Sequence, residues 1–286
     1  MKVAVIGDAL IDEMRDEFGS IDAPGGSALN VAVGLAILGV DATLIAMIGD
    51  DDDGAVLTNY AQRFGVTVLA APSQLGTGRA VSDRTDGEPR YSFSEAARAR
   101  SIQFTAEMDV AIATSTLVAV SGYPFDNAAE VAALRTALSH SERVLVDANP
   151  RAGFLRDAPA FVSALESLAA TAELVKIGDE DAHLLYGLPL DEVIPRLRSR
   201  VVLATKGAAG ATAHIGEVEV HREITRDERP IVDTMGAGDA TFASVIAQLA
   251  SGGAVESAEH WGRMLDSAMA VAAETVRHAG GTLQQR

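Results

Sequence analysis

Short apolar runs alternate with segments of helical periodicity along most of the chain. Residues 3–6, 42–48 and 66–69 are apolar runs of strand length, and the first two end in Gly7-Asp8 and Gly49-Asp50. Such runs, bounded by turn residues, predict strands buried on both faces. Between them, residues 29–38 carry apolar positions at helical spacing and stop at Gly39, and 54–64 stop at Gly65, as helices with a glycine C-cap do. Further on, 117–121, 144–147, 174–177 and 201–205 predict strands, and 127–139, 158–170, 179–186 and 190–198 predict helices. Residues 212–215 and 218–221 predict a hairpin through Gly216-Glu217, and long helices near 237–250 and 257–277 close the chain.

The rhythm breaks between 72 and 93, where alternating runs at 79–83 and 90–93 flank Asp86-Gly87, a hairpin signal. Strand–helix alternation predicts an α/β fold with a mostly parallel central sheet covered by helices on both faces. The hairpin predicts a small antiparallel β lid formed by about 12–22 and 72–93. No repeat or low-complexity segment divides the 286 residues, so a single domain over 1–286 is expected.

Composition narrows the function. Hydrophobic residues are 48% and charged residues 22%, as in ordinary globular proteins. A net charge of −17 argues against nucleic acid or an anionic membrane as partner. The absence of cysteine excludes disulfides, thiolate metal sites and a cysteine nucleophile, and it fits a reducing cytoplasm, the expected location. No apolar stretch reaches the ~18 residues needed to span a bilayer.

In an open parallel sheet, ligands bind beyond the carboxyl ends of the strands. The polar residues expected there are Asp8, Asp50, Asp147, Asn149, Thr205 and Lys206. The strongest local signal is Asp233-Thr234-Met235-Gly236-Ala237-Gly238-Asp239, directly before the helical pattern of 237–250. Two glycines let backbone N–H groups converge at a positive helix end, an anion hole. Asp239 projects beside it, the layout phosphoryl transfer requires: a carboxylate to take a proton and fixed donors for the phosphoryl oxygens. A glycine-rich loop with an acidic first turn explains the same residues structurally, and local chemistry leaves the two readings about even. No Gly-Lys pair occurs, which excludes a Walker P-loop, and no Gly-x-Gly-x-x-Gly follows a strand. Asp50-Asp51-Asp52-Asp53-Gly54 fails as a calcium loop, because the first and twelfth positions would be Gly49 and Tyr60.

Asp-Thr-Met-Gly-Ala-Gly-Asp resembles the Asp-Thr-x-Gly-Ala-Gly-Asp signature of ribokinase-like (PfkB) carbohydrate kinases. Gly25-Gly26-Ser27-Ala28-Leu29-Asn30, with Met47-Ile48-Gly49-Asp50-Asp51, is similar to that family's N-terminal pattern, in the right order. The resemblance is close to full length. It implies a ribokinase-like three-layer α/β/α sandwich and an ATP-dependent sugar kinase. It further implies that Asp239 is the base, that Gly236, Ala237 and Gly238 hold the transferring phosphoryl group, and that Asp8, Asp12, Gly25, Gly26 and Asn30 bind the sugar. Thr205, Lys206, Gly207 and Gly210 resemble the family's ATP-binding run, and Asn149 and Arg151 its Asp-x-Asn-x-Arg. The family's Asn-x-x-Glu is altered to Gly178-Asp179-Glu180-Asp181, which leaves Asp181 to act on Mg²⁺ through water. Asp233 would serve a monovalent cation, K⁺. The acceptor-side runs look more like fructokinases and 2-keto-3-deoxygluconate kinases than adenosine kinases; a nucleoside kinase and a catalytically silent sugar sensor are the alternatives. A homodimer through the lid is expected to be possible.

Overall fold

The computed structural model describes residues 1–83, 90–252 and 257–284. In chain order, the amino-terminal part holds β1 (Lys2–Gly7), β2 (Leu10–Asp16), β3 (Gly19–Gly25), α1 (Ser27–Ile37), β4 (Asp41–Gly49), α2 (Asp52–Arg63), β5 (Thr67–Ser73), β6 (Gly78–Asp83) and β7 (Arg90–Phe93). The middle holds α3 (Glu95–Arg98), α4 (Ala106–Ala113), β8 (Leu117–Ser121), α5 (Ala128–Leu138), β9 (Val144–Asp147) and α6 (Ala158–Ala169). Then follow β10 (Leu174–Gly178), α7 (Asp179–Tyr186), α8 (Leu190–Val193), β11 (Val201–Thr205), β12 (Ala211–Ile215), β13 (Val218–Arg222), α9 (Ala237–Ala250) and α10 (Ala258–Thr275).

Nine strands form the central sheet in the order β13-β12-β11-β10-β9-β8-β1-β4-β5. All neighbours run parallel except at β11–β12 and β12–β13. Period-two alternation sends each strand's side chains to two cores. On β1, Val3 and Val5 join the core under α1, α9 and α10, whereas Ala4 and Ile6 join the core under α4–α8. Burying each such valine or isoleucine contributes roughly 1.5–3 kcal/mol. Two helical layers around one sheet give the expected three-layer α/β/α sandwich.

A second sheet has the order β3-β2-β6-β7. Its two outer pairings are antiparallel, and β2 meets β6 in parallel. It draws on both strands of a hairpin over residues 10–25, somewhat wider than the 12–22 expected of the lid, and its other half begins at Gly78 because β5 keeps residues up to Ser73 in the central sheet. The Asp86-Gly87 turn lies outside the described residues. The sheet is anchored by Leu10, Ala80, Phe93 and Ala97 packed against Phe154. The Phe93 and Phe154 rings are 4.1 Å apart, and a Cβ added at Gly153 would fall 1.8 Å from the Phe93 ring.

Three local departures from the sequence reading have physical causes. The helix expected over 190–198 is α8 followed by a single 3-10 turn, Ile194–Arg196, with Pro195 inside it, since proline cannot donate to the helical ladder. Helices α3 and α4 are too short to show periodicity; α4 buries only Met108 and Ile112. The acidic turn at 50–53 is not merely solvated. Asp51 caps α2 through the Gly54 amide at 2.8 Å and accepts from Thr77, and Asp53 pairs with Arg79 at 2.6 Å.

Candidate active site

The carboxyl ends of β1, β8, β9, β10 and β11 are in register along one rim. Gly7 pairs with Ser121, Ser121 with Asp147, Asp147 with Lys176, and Gly178 with Thr205. Helix starts differ in what caps them. Helices α2, α4, α5, α6 and α10 are capped by the side chains of Asp51, Thr105, Asn127, Asp157 and Ser257. Helices α1 and α9 begin at Gly26 and Gly236, which have no side chain to cap them. In α1 the first-turn amides of Ala28 and Leu29 meet the Oδ1 and the carbonyl of Asp8, whereas the Gly238 amide opens α9 at the positive end of its dipole.

Asp239, in the first turn of α9, is buried and held by α1. Ser27 Oγ donates to its Oδ1 at 2.5 Å and Asn30 Nδ2 to its Oδ2 at 2.9 Å. Ser27 in turn accepts from Asn149 Nδ2 at 2.6 Å. Among the described residues, Asn149 is the one non-glycine with positive φ, at 33°, a strained conformation of the kind found at functional sites. Behind Ser27, Ser121 Oγ lies 2.6 Å from Ser27 Oγ and donates to Asp147 Oδ2 at 3.1 Å. Lys176 Nζ donates to Asp147 Oδ1 at 2.8 Å, and a Cβ on Gly238 would lie 3.4 Å from that ammonium. The lysine therefore sits beside the α9 start.

On the other side of Asp239, Asp8 accepts from the Ala28 amide at 3.3 Å and lies 3.6 Å from Arg100. Asp12 reaches from β2 toward Gly25, where an added Cβ would fall 1.9 Å from Oδ2. A cavity lined by Asp8, Leu10, Arg100, Gly122 and Tyr123 continues behind Asp8.

Burial raises the pKa of Asp239, opposed by the Ser27 hydrogen bond and Arg151. Burial likewise raises Asp8 against Arg100 and Arg151, and Asp181 against Lys176. Asp12 is pushed up to about 7, first by burial and then by Asp8. A carboxyl with a raised folded-state pKa contributes stability that is full below the unfolded value near 4 and is lost as pH rises through 7. Asp12→Asn should therefore raise Tm by a few degrees at pH 8 and leave it unchanged at pH 4; calorimetry at the two pH values checks the sign.

The structure gathers Asp8, Asp12, Gly25, Gly26, Asn30, Asn149, Gly236, Ala237, Gly238 and Asp239 in one place. Arg151 has an exposed side chain, and the partial loss of water around it is outweighed by Asp239, Asp8, Asp181 and Asp147, which raise its pKa. Asp181 reaches back to the Gly178 amide at 2.7 Å. Thr205 ends β11 beside it, and Gly207 begins a 3-10 turn that Gly210 closes. Lys206 is directed elsewhere, to Asp191 at 2.8 Å on the exposed side. Asp233 accepts from the amides of Met235 and Gly280 at 3.0 and 3.1 Å, tying the α9 loop to the tail. Sequence reasoning missed Ser27, Ser121, Lys176 and Arg100 as members of the site. Lys176 left a trace, a lone charge inside the apolar run Leu174-Val175-Lys176-Ile177; a serine at a strand end leaves none.

The sequence pattern of the pfkB family of carbohydrate kinases matches residues 4–285. The chain belongs to this family. The kinase is 30% identical over 269 residues to a fructokinase of Salmonella typhimurium, covering 88% of this chain and 85% of that one. Its fold matches a fructokinase from Xylella fastidiosa solved with bound ATP, at TM-score 0.85 and 22% identity over 98% and 93% of the two chains. It also matches the aminoimidazole riboside kinase of Salmonella enterica, at TM-score 0.80 and 22% identity over 98% and 95%. The protein is an ATP-dependent carbohydrate kinase, a phosphotransferase acting on a sugar hydroxyl. Among the described residues, no helix is long and apolar enough to cross a membrane.

Proposed function

We propose that this kinase phosphorylates a fructose-like ketose, with Asp239 as base. The observation that carries this reading is one carboxylate, clamped by α1, at the uncapped start of α9. The acceptor hydroxyl gives its proton to Asp239 as its oxygen forms a bond to the γ-phosphorus, and the bond to the ADP oxygen breaks. The amides of Gly236, Ala237 and Gly238 hold the charge on the phosphoryl oxygens. Asp8, Asp12 and Asn30 suit sugar hydroxyls as carboxylate and amide partners, and Gly25 and Gly26 let the ring approach the backbone. Asn149, Arg151, Thr205, Gly207 and Gly210 border the nucleotide side, with Lys206 at its edge.

The donor set fits Mg²⁺ carried in by the nucleotide. Among the described residues no group of three His, Cys, Asp or Glu could hold a metal by itself, and Mg²⁺ prefers phosphate oxygens, water and one or two carboxylates. Asp181 would hold it through water, and it would neutralise phosphate charge that the surrounding aspartates repel. K⁺ would find hard oxygen ligands in Asp233 and the carbonyls of the loop it closes. The second sheet serves as a lid that keeps water from competing with the sugar, within the single catalytic domain of 1–286. The exposed Phe18 and Ile21 on its hairpin suit a homodimer contact through the lid, and a cytoplasmic location places the enzyme with its ATP.

An acceptor panel with ATP and Mg²⁺ tests the reading: fructose, other ketoses, 2-keto-3-deoxygluconate and nucleosides. Highest kcat/KM on fructose is the expected result. A preference for nucleosides would overturn the acceptor, and silence on every sugar would overturn the reading of the site. Similarity to fructokinases over most of the chain favours the ketose.

A further inference from the structure

The hydroxyls of Ser27 and Ser121 link two carboxylates. Three oxygen–oxygen contacts run in series: Asp239 to Ser27 at 2.5 Å, Ser27 to Ser121 at 2.6 Å, and Ser121 to Asp147 at 3.1 Å. Each contact needs one proton, and two serines carry only two. With both aspartates ionised, one link must stand empty. Asn149 donates to Ser27 and supplies no proton between the oxygens. Ser27 donates to Asp239 and Ser121 donates to Asp147, so the contact between the two hydroxyls is the one left without a proton. A third proton completes the series.

We propose that Ser27, Ser121 and Asp147, backed by Lys176, form a proton-holding chain that stabilises Asp239 in the protonated form it reaches on removing the acceptor's proton. The inference rests on Asp239 being the base. Once protonated, Asp239 becomes a donor to Ser27 through Oδ1, since its own Oδ2 is already occupied by the Asn30 donor. Ser27 then turns its own proton to Ser121, while Ser121 keeps its proton on Asp147. No proton leaves the chain, every contact is filled, and Asp147 stays an anion because Lys176 faces its other oxygen at 2.8 Å. Ser121 and Asp147 are both fully buried, so water cannot substitute for a missing link. Ser27, Ser121 and Asp147 are positioning residues: they act on the hydroxyl proton through Asp239.

The groups facing Asp239 are Asp147 from the end of β9, Arg151 from the loop after it, Lys176 from β10 and Asp12 from β2. Ser121→Ala alters none of these charges and breaks only the chain. The test is a carbon NMR titration of the Asp239 carboxyl in the substrate-free protein, alongside the pH dependence of kcat/KM on the acceptor. In Ser121→Ala, Asp239 should titrate about one pH unit lower than in the parent. The acidic limb of kcat/KM should move with it, and the plateau should fall about 10-fold as the base weakens. Ser121→Thr, which restores a hydroxyl, should return the titration toward the parent value. An unchanged Asp239 titration in Ser121→Ala, or a rate loss equal at every pH, overturns the chain. The titration needs no turnover, so its result stands apart from whether Asp239→Asn abolishes catalysis.

Discussion

Asp239→Asn is expected to lower kcat by ~10²–10⁴-fold, the usual contribution of general base catalysis, while ATP and sugar still bind. The substitution keeps the side chain's size and its place in the first turn of α9, but an amide cannot take a hydroxyl proton at neutral pH. It also replaces a buried carboxyl whose ionisation burial opposes, so the variant should be no less stable than the parent. A fall confined to kcat, with the KM for sugar nearly constant, identifies an interaction made in the transition state. Steady-state kinetics paired with titration calorimetry separates the two quantities. Turnover near that of the parent would remove the carboxylate from the mechanism.

Gly236→Ala should be nearly as damaging, for a backbone reason. Gly236 has φ 78°, and an added Cβ would fall 2.3 Å from the carbonyl oxygen of Gly281 and 2.5 Å from its Cα. The left-handed conformation alone costs ~1–2 kcal/mol for a residue with a Cβ. The clash is with main chain, so the tail must move. Gly281 in turn leaves no room beside Asn30, where its own Cβ would fall 2.6 Å from Nδ2, and Asn30 holds Asp239. A displacement near 1 Å at the reacting groups costs about 10²-fold in rate, and that loss in kcat is the expected result. Gly65→Ala is the control: φ is 83°, with nothing within 4 Å of the added Cβ. It should lower stability by ~1 kcal/mol and leave kinetics unchanged. Equal kinetic losses in both variants would show that the site does not depend on the Gly236 approach.

Much of the fold was legible because its strands are buried on both faces. The apolar runs at 117–121, 144–147 and 201–205 coincide with β8, β9 and β11, and such runs stand out without any alternation. Terminators were equally plain: α1 and α2 end at the residues before Leu38-Gly39 and Phe64-Gly65. The second sheet was harder. Its β3 is mostly exposed, so no buried face stamps a pattern on it, and the bounds of the strand could not be read from sequence. At the site, residues within the two long motifs could be placed from sequence, because glycines and carboxylates clustered along the chain. The Ser27–Ser121–Asp147–Lys176 chain could not. Its members come from α1, β8, β9 and β10, and only the sheet register brings them together. Lys206 stands inside a motif, and its long side chain pairs with Asp191, a partner of which the sequence held no sign.

The close seating of Phe93 against Gly153 has a consequence for the order of events in turnover. Phe93 ends the sheet that carries Asp12, and Gly153 lies two residues beyond Arg151. With Asp12 and Arg151 in the proposed roles, a movement of that sheet would reach the sugar side and the nucleotide side together. Each substrate is expected to bind more tightly in the presence of the other, by the same factor in both directions.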